Sequence, residues 1–409
     1  MAPLLLHLLS RFDPSVATDE IREQWELPGD VFSVLLILGG DVVARALAQL
    51  AGRGFTPVAF SFGWVAYSVS ALVSTFGENR LMPQTPDCRC KVINGKSGYV
   101  RENSSWVLGR VMRDFESWKD DAIKQKTERL MNDKWEAMQK DARKEDPSAK
   151  VKRPRRGGLV VSFYEPSKTR DAGVPTPDYV YWSGVVTVVL QLGIAAIPCG
   201  IDGHWGILLI TVSGTMLSFM TGLLPQWSKE KWACRRNAKE NYVITRGNGA
   251  QHAIVVLGNR KGLNFEDLAA GQENVEVTAN TFTRVVLSLL AALWILLLIT
   301  SAGIKTNTWY LLAVGAIGMV QNIFAAGWNR RPENMGIPLD FIDVVGCPKV
   351  MDTLVEVENR VPWLGRSMRD EFFPGELNEK EEEIWAELEK KAREVDNPVS
   401  RKTTMYSRA

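Results

Sequence analysis

The sequence predicts a mainly α fold: a six-span α-helical membrane bundle of three hairpins, with a small cytoplasmic α+β subdomain built from the long loops. Three observations predict it. Uncharged apolar blocks of membrane length alternate with blocks dense in Lys, Arg, Asp and Glu. The mean hydropathy of −0.09 therefore averages two unlike kinds of chain. Aromatic residues that favour headgroup depth mark the block ends, at Tyr181, Trp182, Trp205, Trp227, Trp309, Tyr310 and Trp328. Links as short as "GRG", "DG" and "KTN" join the blocks in pairs, which permits only antiparallel hairpins.

In chain order this gives a cytoplasmic segment 1–30, hairpin 31–76, loop 77–179, hairpin 180–224, loop 225–282, hairpin 283–328 and a helical tail 329–409. The spans fall at about 31–51, 55–76, 180–201, 204–224, 283–304 and 308–328, each near the 20 apolar residues that cover a core of about 30 Å. The N-terminal "MAPLLLHLLSRF" has a short apolar run with no positive segment before it, and reads as a docking turn rather than a signal peptide.

Six spans put both termini and both long loops on one side. Arg80, Lys91, Lys229, Lys231, Arg235, Arg236, Arg330 and Arg331 fall there, against Arg53, Lys305 and His204 on the other. The positive-inside rule makes that side cytoplasmic, so the sequon Asn103-Ser104-Ser105 is expected to stay unglycosylated. "GENRLMP" after the second span and "GWNRRPENMG" after the sixth suggest a weak repeat, although such residues suit helix ends independently.

The first span holds Asp41 and Arg45. Its eleven strongly apolar residues each favour insertion by about 0.3–0.6 kcal/mol, and each charge opposes it by about 2.5–3.5 kcal/mol. The sums nearly cancel. Asp41, Arg45 and Gln49 lie one helical turn apart on a single stripe, expected to face other helices or a wet cavity with the charges paired. Gln191, Gln321 and Asn322 are further polar groups at membrane depth, candidates for a pathway or for interhelical packing. Gly214, Ser218 and Gly222 look like a packing face.

In the loops, 104–146 reads as one long polar helix. The basic run Lys150, Lys152, Arg153, Arg155 and Arg156 is a candidate contact for anionic lipid headgroups. "GLVVSFYE", "NYVITRG" and "QHAIVVLG" read as strands, the last two a hairpin through "GNGA", with "LNFEDLAAG" a short helix. A phosphate-loop reading of these glycines fails, because the turn joins two strands and no Gly-Lys-Ser/Thr follows. His252 and His204 read as structural, and five cysteines in no metal or disulfide spacing read as free thiols.

Taken together, "WELPGDVF", "LILGGDVVARALAQL", "GYVRENSSWVLGRVMRDFE", "QLGIAAIPCG", "KWACRR", "TRGNGAQHAIVVLG" and "GRSMRDEFFPGEL" resemble an uncharacterised family of fungal multi-pass integral membrane proteins. The resemblance spans nearly the whole chain and implies membrane architecture without activity, cofactor or site residue.

A net charge of +2 points to no nucleic-acid partner. The chain holds no Gly-x-Ser-x-Gly elbow, acyltransferase pattern, paired-His metal motif or dinucleotide fingerprint, so neither catalytic residue nor cofactor is expected. Expected partners are the bilayer, anionic headgroups and a cytoplasmic protein. The function expected is a membrane scaffold or regulatory protein acting through its cytoplasmic loops. A transporter or channel using Asp41 and Arg45 is the alternative.

Overall fold

The computed structural model describes residues 39–52, 54–83, 86–146, 150–271 and 279–396. Within them the chain forms two compact units, a helical unit of 39–83, 177–229 and 279–328 and a sheet unit of 86–176, 230–271 and 329–396. The predicted segment 1–30 and residues 31–38 of the first span lie outside the described residues.

The helical unit is built from α1 (Gly40–Leu50), α2 (Gly63–Gly77), α3 (Tyr179–Asp202), α4 (Gly206–Gly222), α5 (Thr281–Ala302) and α6 (Thr308–Gly327). The helices α3, α5 and α6 are long and apolar enough to cross a membrane. A fourth such element appears if α4 is taken with Pro225–Lys231 across a 43° bend. Side-chain caps start α3 and α5: Asp178 accepts from the Tyr181 N–H and Asn280 from the Thr283 N–H. Gly203, at φ +70°, ends α3 in the left-handed region that suits glycine.

The six helices pack as a ring in the order α1, α2, α5, α4, α3, α6 and back to α1. An extended segment, residues 55–62, runs into its centre. Val58, Ala59, Phe60, Ser61 and Phe62 are all buried there. Phe60 stacks on Trp294 of α5 with ring centroids 6.1 Å apart. Glycines make room for it. An added Cβ would come 2.4 Å from the Phe60 ring at Gly214, 2.3 Å from the Phe62 ring at Gly315, and 1.7 Å from the Phe60 carbonyl oxygen at Gly318.

This corrects the predicted first hairpin, 31–76. Helix begins only at Gly63, so 55–76 is not one span. The short link near Gly52–Gly54 lies at the end of the ring where α4 and α6 finish, because Thr56 donates to the Gly222 carbonyl and Gln49 to the Trp328 carbonyl. From there the chain re-enters to Gly63, which abuts Gly39, and α2 returns to the same end, where the Ala279 N–H donates to the Asn79 carbonyl. Both α1 and α2 thus run outward from mid-length. The sequence signal failed here for a physical reason. "TPVAFSF" is uncharged and mostly apolar, and periodicity cannot separate a buried extended run from a helix.

In the sheet unit β1 (Lys91–Asn94), β2 (Val100–Glu102), β3 (Val160–Pro166), β5 (Tyr242–Thr245), β6 (His252–Val256) and β8 (Leu339–Gly346) form one mixed sheet in the order β2-β1-β5-β6-β3-β8. Short β4 (Arg236–Ala238) and β7 (Gly262–Leu263) pair separately. The three strands read from sequence are the adjacent β5, β6 and β3, with β5 and β6 antiparallel and β6 parallel to β3. Three strands of the mixed sheet, and the short pair β4 and β7, were not foreseen. In the mixed sheet, β1 and β2 have four and three residues, too few for a pattern. The third, β8, lies in the tail predicted helical, where a bulge beside Tyr164 breaks its alternation.

One face of the sheet packs Val161, Phe163, Val243 and Val255 against Leu354, Met368, Phe372 and Trp385 from three C-terminal helices. The other face meets the segment predicted as one helix over 104–146. That segment is three pieces, Trp106–Arg113, Phe115–Trp118 and Asp121–Glu145. The break follows from Asp120, whose carboxylate caps the last piece by accepting from the Ala122 N–H at 2.9 Å. The helix Phe265–Ala270 starts at Asn264, which accepts from the Asp267 N–H.

Candidate functional site

The predicted polar residues of the helical unit separate into two groups. Asp41 and Arg45 form their pair, with Nε 3.0 Å from Oδ2, but the side chains are 74% and 49% exposed. The expectation that they face inward is therefore corrected: they sit on the outer face of α1, while Gln49, one turn on, is buried. The inward face of α1 is taken by Val43, Ala46, Leu47 and Leu50, and close packing of Gly40 on α2 fixes that rotation.

Gln191 and Asn322 are fully buried and bind the re-entrant segment. The Gln191 amide donates to the carbonyls of Phe60 at 2.7 Å and Val314 at 2.8 Å. The Asn322 amide donates to the carbonyl of Ala59 at 3.0 Å and the hydroxyl of Ser61 at 3.2 Å. An extended stretch has no helical donors for its carbonyls, so these amides supply what the missing helix would have supplied. Gln321 donates to Ser183 at 2.9 Å and joins α6 to α3. The three amides thus serve packing around the segment, and the charged pair does not join them.

In the sheet unit, a cavity of about 260 Å³ opens beside the β5–β6 turn. It is lined by Phe115, Glu116, Arg156, Arg246, Gln251 and His252, with Met112 and Ala250. The fold assembles it from three stretches: the short helix Phe115–Trp118, the end of the basic run, and the turn "TRGNGAQH". Gly247 and Gly249 have φ of +93° and +76°, which allows that turn to close. The Arg156 guanidinium donates to the Gly249 carbonyl at 2.8 Å, tying the basic run to the turn.

His252 presents Nε2 at 3.4 Å from a Glu116 oxygen, and its ring meets Phe115 edge-on. Burial first, then the nearby Lys119 charge, push its pKa down to about 4, so the imidazole is neutral at pH 7. Its Nδ1 and the Gln251 Nε2 are buried with no hydrogen-bond partner among the described residues. Glu116 is engaged by Lys119 at 2.6 Å, whereas Arg246 is exposed and makes no ion pair among the described residues.

The other basic residues behave differently. Arg153 bonds Glu128 at 2.5 Å and Asn132 at 2.7 Å, and the Val151 N–H donates to Gln139. The run therefore folds back along the Asp121–Glu145 helix. Lys150, Lys152 and Arg155 remain exposed. Sequence reasoning singled out Arg156 and His252 separately but missed Glu116, Arg246 and Gln251 as their neighbours. The only local signal was a basic residue entering a Gly-rich hairpin.

All five cysteines are free, and burial pushes the Cys90 thiol up to about 12, away from nucleophilic use. Among the described residues no group of His, Cys, Asp and Glu gathers as a metal site. His204 is exposed in the turn between α3 and α4. No family model, curated protein or solved structure matches the chain.

Proposed function

We propose that the chain is an integral membrane protein whose helical unit anchors it and whose sheet unit is the working part, a scaffold or regulatory surface on the cytoplasmic side. The membrane reading rests on an inverted surface. Large apolar side chains such as Val189, Ile201, Leu289, Ile299 and Val320 point outward from the ring, where a soluble bundle would place polar groups.

Orientation follows from charge. Arg80, Lys229, Arg330 and Arg331 follow the helices that finish at one end of the ring, which supports a cytoplasmic face there. In this reading α1, eleven residues and about 16 Å long, covers half the bilayer core of about 30 Å. Six full spans then become four spans and a re-entrant loop.

One observation carries the binding role. Three chain segments separated by the membrane helices converge in one six-stranded sheet with a shared core, covered by helices. An anchor alone does not need such a body. The transporter reading has its own support, since non-helical backbone at mid-membrane commonly lines a route. Against it, the amides of Gln191 and Asn322 occupy the carbonyls of Ala59 and Phe60, and Gly318 leaves no space beside them.

Photocrosslinking residues at Tyr99 and Ile342 of the sheet unit, compared with Val189 and Leu289 of the ring, test this assignment. The expected adducts are a discrete protein partner from the first pair and lipid from the second. Solute flux through liposomes holding the purified protein, with no protein adduct from the sheet unit, overturns it in favour of transport.

A further inference from the structure

We infer that the cavity beside the β5–β6 turn is a binding site for a phosphate monoester, an inference that rests on the sheet unit being the binding part of the molecule. Two guanidinium groups, Arg156 and Arg246, reach it from different chain segments, and among the described residues Arg246 makes no ion pair with a carboxylate. Gln251 adds an amide whose Nε2 is buried without an acceptor. A buried donor left unmade costs about 1–3 kcal/mol, and a ligand that accepts from it recovers that loss.

Three donor side chains, Arg156, Arg246 and Gln251, suit an oxyanion with three terminal oxygens better than a carboxylate with two. His252 is neutral at pH 7 with its Nε2 facing Glu116 at 3.4 Å, so its Nδ1 is an acceptor and meets a phosphate only through a P–OH proton. The one anionic wall is Glu116, whose carboxylate is held by Lys119 at 2.6 Å. The volume of about 260 Å³ exceeds by several-fold the roughly 30 Å³ that one water occupies. It therefore holds the phosphate with the first atoms of its ester.

The same chemistry occurs on soluble phosphomonoesters and on a phosphomonoester lipid headgroup. The test separates them. Full-length protein in phosphate-free detergent is titrated with inorganic phosphate, then with glycerol 3-phosphate, following thermal stability at constant ionic strength. In a second arm the protein, reconstituted in nanodiscs with and without phosphatidic acid, is titrated with glycerol 3-phosphate.

The expected result is a saturable rise in melting temperature with both soluble probes. Affinity should fall at least tenfold in Arg246→Gln and stay unchanged in Arg155→Gln, whose side chain is outside the cavity. Competition by phosphatidic acid assigns the site to lipid, and its absence assigns it to a soluble ester. No phosphate-specific shift in the wild type, or equal loss in both variants, overturns the inference. Arg246 is exposed and makes no ion pair among the described residues, so its variant is expected to melt with the wild type when phosphate is absent. If phosphate fails while Tyr99 and Ile342 still crosslink one protein, the ligand class is wrong and the binding role stands.

Discussion

Gln191 and Phe60, 131 residues apart in the chain, are joined by a 2.7 Å hydrogen bond from the side-chain amide to the backbone carbonyl. That bond fixes a non-helical strand in the centre of a helical ring. It explains why an uncharged amide, rather than the charged pair on α1, is the polar group the helical unit depends on.

Gln191→Leu should therefore destabilise the protein by about 1–3 kcal/mol, the cost of a buried carbonyl left without its donor. Denaturant melts in detergent measure it. A variant as stable as wild type would mean that water or a neighbour replaces the amide.

Gly318→Ala should be worse, because its Cβ meets the Phe60 carbonyl oxygen at 1.7 Å and backbone must move. A loss of about 3 kcal/mol or more is expected for such overpacking. The control is Gly200→Ala in α3, where nothing lies within 4 Å; it should stabilise slightly, by up to about 1 kcal/mol. Expression level and melting temperature of the two variants give the comparison.

Asp41→Leu, Arg45→Leu and the double variant should all lie within about 1 kcal/mol of wild type in detergent, as for other exposed ion pairs. Collapse of each single variant with recovery in the double would instead mark a buried pair.

His252 should make stability fall on the acid side. Its folded pKa, about 4, lies below the ordinary value of 6.5. Between those values the unfolded chain binds a proton that the folded chain does not, so stability is highest above about pH 6.5 and declines toward pH 4. The decline is at most about 3 kcal/mol from this group. His252→Gln should flatten that part of the stability profile, and an unchanged profile would assign the acid sensitivity elsewhere.

Asn103 should carry no glycan even in a glycosylating host. Its amide nitrogen, the acceptor atom, is buried and donates to the Ser105 carbonyl at 2.8 Å. Glycosidase treatment should leave the electrophoretic mobility unchanged.

Much of the architecture was legible in the sequence because apolar length is a strong signal. The helices α3, α4, α5 and α6 begin and end within a few residues of the spans that apolar length predicts. The hairpin of β5 and β6 was legible from Asn248-Gly249 between β-branched runs. The re-entrant segment was hidden because its conformation depends on donors from α3 and α6, which no local pattern reports. The cavity was hidden for the same reason: Glu116 and Arg156 of loop 77–179 meet Arg246 of loop 225–282 only after the two fold together. The orientation of Asp41 was misread because glycines on both helix faces leave the stripe's direction undetermined until Gly40 meets α2.

The interleaving of the sheet sets an order on biosynthesis. The apolar face of β3 emerges from the ribosome with Phe163, yet the helices that cover it begin at Val350, about 190 residues later. At roughly 5–20 residues per second that leaves it unshielded for about 10–40 s. A nascent chain in this state exposes that face to aggregation, and a premature stop codon anywhere before the tail would release a product with it uncovered, even with every helix of the helical unit already made.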